Sequence, residues 1–153
     1  MKQYNEYEDL IVARLANKDW EVSPLSLISN LNQPQTKPRI YVICSGSTFE
    51  DTRHLGDFAQ EESLNFKAII TARTREGEKG VFAVAEEIMQ RLMKWKLPDT
   101  TERISLSSFG YVDGIQNNWQ YHVDFTFPRI RIMREEPQEE VLITKITQKV
   151  KVV

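Results

Sequence analysis

The sequence predicts an α+β fold: two main helices packed on one face of a sheet, with a C-terminal β-hairpin or strand as an extension. Three observations carry this. The run Leu64 to Arg73 alternates, with Phe66, Ala68, Ile70 and Ala72 on one face and Lys67, Ile69, Thr71 and Arg73 on the other. A short loop, Thr74 to Lys79, leads from it into an amphipathic helix, Gly80 to Trp95. Val81, Val84, Ala85, Ile88, Leu92 and Trp95 share one side of that helix, and Glu86, Glu87, Gln90, Arg91 and Lys94 lie off it. The strand Trp119 to Phe127 has the cleanest period of two, with Trp119, Tyr121, Val123, Phe125 and Phe127 set against Gln120, His122, Asp124 and Thr126. Such alternation means one face packed on helices and one face wet or held against a partner.

The other elements follow in chain order. Tyr4 to Ala16 reads as a helix, since Tyr4, Tyr7, Ile11 and Leu15 make one apolar stripe and Glu6, Glu8 and Asp9 favour its positive end. Trp20 to Val22 reads as a short strand broken by Ser23-Pro24. Leu25, Leu27, Ile28 and Leu31 suit one or two helical turns, and Pro34 and Pro38 bracket a connector. Arg39 to Cys44 is a compact β-branched and aromatic strand. Ser45 to Glu62, with Gly46 and Gly56, reads as a loop long enough to carry function. The cationic end of the main helix (Arg91, Lys94, Lys96) suits its negative pole, and Pro98 ends it. Arg103 to Tyr111 reads as the first strand of a hairpin, with Asp113-Gly114 in its loop.

After Pro128 the pattern changes. Arg129 to Arg134 alternates, Glu135 to Glu140 is an acidic turn, and Val141 to Val153 is β-rich, with Leu142, Ile146, Val150 and Val152 on one side. We divide the chain into a domain over 1–128 and an extension of the same domain over 129–153.

The bulk composition bounds the function. A chain of 153 residues with 41% hydrophobic and 27% charged residues is ordinary for one folded domain. A net charge of -2 gives no electrostatic case for nucleic-acid binding. The single cysteine, Cys44, excludes an intrachain disulfide and a Cys-rich zinc site. The polar, acidic start (Met1 to Asp9) argues against a signal peptide, and no apolar run approaches the length of a membrane span.

Reactive constellations are weak. Gly77-Glu-Lys-Gly80 precedes a helix, but its spacing is not that of a phosphate loop, and Glu76 and Glu78 would repel a phosphate. Gly80 is better explained as a helix-start residue. His122 and Asp124 share a strand face, and Asp51, His54 and Asp57 lie in the long loop, yet no spacing demands a metal. Cys44 has no base near it in sequence, and Ser45-Gly-Ser47 lacks the pattern of a nucleophile elbow. Adjacent carboxylates such as Glu86 and Glu87 diverge by about 100° on a helix and form no acid/base pair. The expectation is therefore no catalytic residue, no metal and no cofactor. Two surfaces remain as candidate contacts: the basic set Arg73, Arg75 and Lys79 around the strand-to-helix loop, and Lys145, Lys149 and Lys151 alternating with apolar residues in the tail.

Four segments carry a resemblance: the helix Glu8 to Leu15, the strand end Ile69-Ile-Thr-Ala-Arg73 with the loop to Lys79, the helix Gly80 to Leu92, and the strand Trp119 to Phe125. Together they resemble the phage Mu-like minor tail family and, more loosely, tail terminators of the siphophage minor tail U type. The resemblance covers Tyr4 to Phe127 and rests on hydrophobic patterns with a few polar positions. It implies helices against a mostly antiparallel sheet, and a subunit that assembles as a hexameric ring at the head-proximal end of the tail. Such a ring stops tube polymerisation, joins the neck, and caps the sheath in contractile systems. The partners implied are further copies of the chain, the tail tube protein, the sheath protein where there is one, and a neck or connector protein. DNA is passing cargo, and no membrane is involved. Arg73 and Arg75 then fall at a ring or tube contact. The implied location is the virion tail, assembled in the host cytoplasm. Two other readings remain: a neck or head-completion subunit, and a small enzyme or ligand-binding domain using Ser45 to Glu62 as a lid.

Overall fold

The computed structural model describes residues 1–25, 36–50, 58–112 and 118–134. These hold two helices, α1 (Tyr4–Leu15) and α2 (Val81–Leu92), and five strands, β1 (Glu21–Pro24), β2 (Arg39–Phe49), β3 (Ala59–Ala72), β4 (Ser105–Val112) and β5 (Trp119–Ile132). The sheet order is β1-β2-β3-β5-β4. β1 runs parallel to β2, and every other neighbouring pair is antiparallel. The α+β class, the mostly antiparallel sheet and the two helices are as the sequence predicts.

The core lies between the helices and one face of the sheet. Tyr7, Ile11 and Leu15 of α1 and Val81, Val84, Ala85, Ile88 and Leu92 of α2 are buried on Ile40, Val42, Leu64, Phe66, Ala68, Ile70, Val123, Phe125 and Phe127. Those sheet positions are the alternate residues of three paired strands, so one register places all of them on the helical side. Phe66 stacks on Phe125 and on Phe127, with ring centroids 6.0 and 5.2 Å apart, and Tyr7 leans on Phe127 at 5.3 Å.

Gly80 caps α2. A Cβ there would lie 2.5 Å from the Glu76 carbonyl oxygen and 2.7 Å from that of Arg75, so the loop Thr74 to Lys79 closes against it only because no side chain exists.

The structure moves several boundaries, that of α2 among them, which ends at Leu92 rather than Trp95. Ser45 to Glu62 is not one long loop: β2 continues to Phe49, and Ser47, Thr48 and Phe49 pair with Leu64, Ser63 and Glu62. A bulge between Cys44 and Gly46, where Gly46 takes φ 139°, lets the strand continue through a Gly-Ser stretch. Residues 51–57 lie outside the described residues. The last strand does not stop at Phe127 either; β5 passes through Pro128 to Ile132, which pairs with Ala59. Proline is tolerated because β4 begins opposite Thr126, leaving β5 without a further strand partner on that side among the described residues. The Pro128 carbonyl on that side accepts the Thr101 N–H at 3.1 Å. The expected turns from Leu25 to Leu31, the acidic turn and the β-rich Val141 to Val153 lie, except for Leu25 itself, outside the described residues.

Candidate functional site

Beyond the edge of α2, neither described helix covers the helix-side face of the sheet, and there it is aromatic. Phe109 and Tyr111 of β4 and Trp119 and Tyr121 of β5 share that face with Phe82 on the first turn of α2. Phe109 stacks on Tyr121 at 5.2 Å, Phe82 meets Tyr121 edge-on at 5.2 Å, and Tyr111 meets Tyr121 at 5.3 Å and Trp119 at 6.1 Å. Four of the five rings are exposed: Tyr111 at 53%, Phe109 at 39%, and Phe82 and Trp119 at 37% each. A contiguous exposed aromatic patch is uncommon on a surface that stays in water and marks a contact site.

Arg75 completes the patch. Its guanidinium lies 5.2 Å from the Trp119 ring centre and 5.6 Å from that of Phe82, and it donates to Glu76 Oε1 at 3.0 Å. Glu76 and Tyr121 both push the Arg75 pKa up. Tyrosine, tryptophan and arginine are the residues that dominate protein interfaces, because each offers a large rigid area with a polar handle.

The other basic residues of the loop go elsewhere. Arg73 is exposed, and Lys79 lines a separate groove of about 470 Å³ with Asn17, Asp19, Trp20, Pro38, Glu78 and Glu87. Lys145, Lys149 and Lys151 lie outside the described residues.

A second polar centre sits under the N-terminus of α1 and is structural. Glu62 and Arg129 are both buried, and the Arg129 Nε donates to Glu62 Oε1 at 2.7 Å. Arg131 Nε donates to the same oxygen at 2.9 Å, the Tyr4 hydroxyl donates to Oε2, and Arg129 Nη1 donates to the Lys2 carbonyl at 2.8 Å. Burial alone would raise the Glu62 pKa. The Tyr4 hydroxyl, Arg129, the Ser47 hydroxyl and Arg131 outweigh it and bring the carboxyl from an ordinary 4.5 down to about 2.

On the opposite face of the sheet, Ser108 donates to Asp124 Oδ2 at 2.7 Å, His122 Nδ1 is 3.0 Å from Asp124 Oδ1, and Lys67 approaches that oxygen at 4.0 Å. The carboxylate stands between the hydroxyl and the imidazole, the reverse of a nucleophile activated by a base. Burial pushes the Cys44 thiol pKa up, away from a reactive thiolate, and its Sγ is 3.9 Å from the Gly46 carbonyl. Among the described residues no group of acidic, histidine or cysteine side chains could hold a metal ion, and no helix is long and apolar enough to cross a membrane. Asp51, His54 and Asp57 lie outside those residues.

Sequence reasoning located Arg75 but missed the rings around it. Phe82 was the available signal: an aromatic residue one position off the buried stripe of α2, exposed beside Ala83 and Glu86. Trp119 and Tyr121 share their strand face with Val123 and Phe125, and only the position of α2 divides that face into a covered and an uncovered part.

No curated protein matches the chain. The model of the Gp37 protein family, a phage-associated family, matches residues 11–149, which covers every strand and α2 as well as part of α1. This chain is a phage protein and belongs to the Gp37 family.

Proposed function

We propose that this protein is a tail terminator: a structural virion protein that assembles as a hexameric ring, caps the tail tube at its head-proximal end and joins it to the neck. The sheath is a further partner where the tail contracts, and DNA passes through without specific recognition. Membership of a phage family and the tail-terminator resemblance of Tyr4 to Phe127 support the reading. The observation that carries it is the exposed aromatic patch with Arg75 laid on Phe82 and Trp119. A ring subunit needs two different, mutually complementary surfaces, and this patch, confined to one end of the molecule, serves as one of them. The proposal assigns the protein no catalytic residue and no cofactor.

The test is the mass of the purified protein by light scattering, alone and with its cognate tube protein. A hexamer, or a ring that forms on tubes and fixes their length, is the expected outcome. A monomer that leaves tube length unchanged overturns the reading.

A further inference from the structure

We propose that the recess beside the start of α1 binds a phosphate group, as the free ion or as a phosphate monoester, through Arg131 and Lys2. The site is independent of the assembly reading and lies at the other end of β5 from the aromatic patch.

The sequence builds this place by changing the helix-side pattern of β5. From Trp119 to Phe127 every second residue on that face is an aromatic or a valine, and Arg129 and Arg131 take the next two places. On β3, Glu62 pairs with Arg129 just beyond the pairing of Leu64 with Phe127. The apolar core therefore ends in a carboxylate and two guanidiniums. Beside them is a recess of about 410 Å³, lined by Arg129 and Arg131 together with Lys2, Tyr4 and Asn5. That volume is in the range of small-molecule sites.

Charge is left over in the recess. Arg129 and Arg131 both bond Glu62 Oε1 through Nε, at 2.7 and 2.9 Å, so two cations share one carboxylate. Arg129 also holds the Lys2 carbonyl at 2.8 Å, and the Lys2 ammonium makes no ion pair among the described residues. Glu6, the first acid of α1, turns back to the Gln3 N–H at 2.6 Å and is not part of the lining. Three cations thus face one carboxylate, and the excess matches the charge of about -2 on a phosphate monoester near pH 7. A carboxylate ligand would leave one of those charges unmet. The groove at Lys79 offers no such excess, since Asp19, Glu78 and Glu87 line it.

Donors are left over as well. Arg131 gives Nε to Glu62 and Nη2 to the Tyr4 hydroxyl at 3.2 Å, and its Nη1 N–H groups have no partner among the described residues. Its side chain is 41% exposed and that of Glu62 fully buried, so the edge away from Glu62 is the one that meets solvent. Glu62 holds the guanidiniums in place before any ligand arrives, and donors fixed in advance lose little freedom on binding. The planar edge of a guanidinium matches two phosphate oxygens. A bare phosphate fills only part of the recess, and the remainder, against Met1 and Tyr4, has room for the body of an ester.

Calorimetric titration of the whole protein with inorganic phosphate, AMP, adenosine and acetate, at constant ionic strength near pH 7, tests this. Phosphate or AMP should bind with a Kd of about 1 mM or tighter, and acetate at least about tenfold more weakly. Comparable affinities for phosphate and AMP assign the recess to the free ion; an AMP affinity about tenfold higher or more assigns it to an ester. Arg131→Gln should weaken binding about tenfold, the scale of a charged hydrogen bond. That variant also takes a donor from Glu62. Lys2→Gln leaves the Glu62 centre intact, so it should weaken binding several-fold with the melting temperature unchanged. Binding by neither phosphate compound overturns the proposal. Affinities unchanged in both variants overturn it too, as does acetate matching phosphate or adenosine matching AMP.

Discussion

Arg14 and Arg91 cap each other's helices. Arg91 Nη1 donates to the Ala16 carbonyl just past the end of α1, and Arg14 Nε donates to the carbonyl of Arg91 in the last turn of α2, each at 3.0 Å. Each guanidinium also lies over an indole: Arg14 over Trp95 at 5.2 Å and Arg91 over Trp20 at 5.5 Å. Both helices thus place a cation at the other's negative end, satisfying carbonyls the helices leave without partners.

The exchange predicts non-additive losses. Arg14→Met and Arg91→Met should each destabilise the fold by about 1 to 2 kcal/mol, the range of a charged hydrogen bond with a cation–π contact. The double variant should lose less than the sum, measured from urea midpoints, because both act on one joint. Strict additivity would mean the two caps act independently.

Glu62 predicts an acid-sensitive fold. Its carboxyl titrates near 2 in the folded protein against an ordinary 4.5, so the unfolded chain binds the proton more readily. That difference stabilises the fold fully above about pH 4.5 and is lost as pH falls through 2, with a total on the order of 3 kcal/mol. Thermal melts from pH 6 to 2 should show this slope, and Glu62→Gln should flatten it. Arg129→Ala should cost more, about 3 to 5 kcal/mol, since it leaves a buried carboxylate with one guanidinium fewer.

Gly80→Ala should be disproportionately harmful for so small a change. Alanine normally favours a helix, but here its methyl meets the Glu76 and Arg75 carbonyls at 2.5 and 2.7 Å. The loop must shift, and with it Arg75. A lower melting temperature with weakened assembly is expected; an unchanged melt would show that the loop yields freely.

Arg75→Ala and Trp119→Ala should separate assembly from folding. Both side chains lie on the exposed patch, so the melting temperature should move little, while ring formation weakens by about 2 kcal/mol each, the scale of an interface hot spot. Sedimentation or light scattering across a concentration series reads the difference. Lys79→Ala, in a separate groove, should leave that patch untouched.

The parts legible in the sequence were those set by local periodicity. α2 and the paired faces of β3 and β5 follow from the spacing of Val81, Val84, Ile88 and Leu92 and of Phe66, Ile70, Val123 and Phe125. What escaped was decided by partners distant in sequence. Ser47 and Thr48 have the composition of a loop, yet Leu64 and Ser63 hold them in a strand once Gly46 has absorbed the bulge. Arg129 reads as an exposed alternating residue because nothing near it reveals a buried carboxylate 67 positions earlier. Of the predicted contact residues, Arg75 is joined to the aromatic patch, and its significance lay in rings brought in from β4 and β5.

The bond from Arg129 to the Lys2 carbonyl spans 127 positions, and it closes the first turn of the chain with nearly the last residue of the sheet. During synthesis, the beginning of α1 therefore cannot be sealed until residue 129 has been made. A contact of such long range slows folding. It also makes completion a condition: a chain cut short before residue 129 lacks both guanidiniums that hold the Glu62 carboxylate, and such a fragment cannot complete the fold.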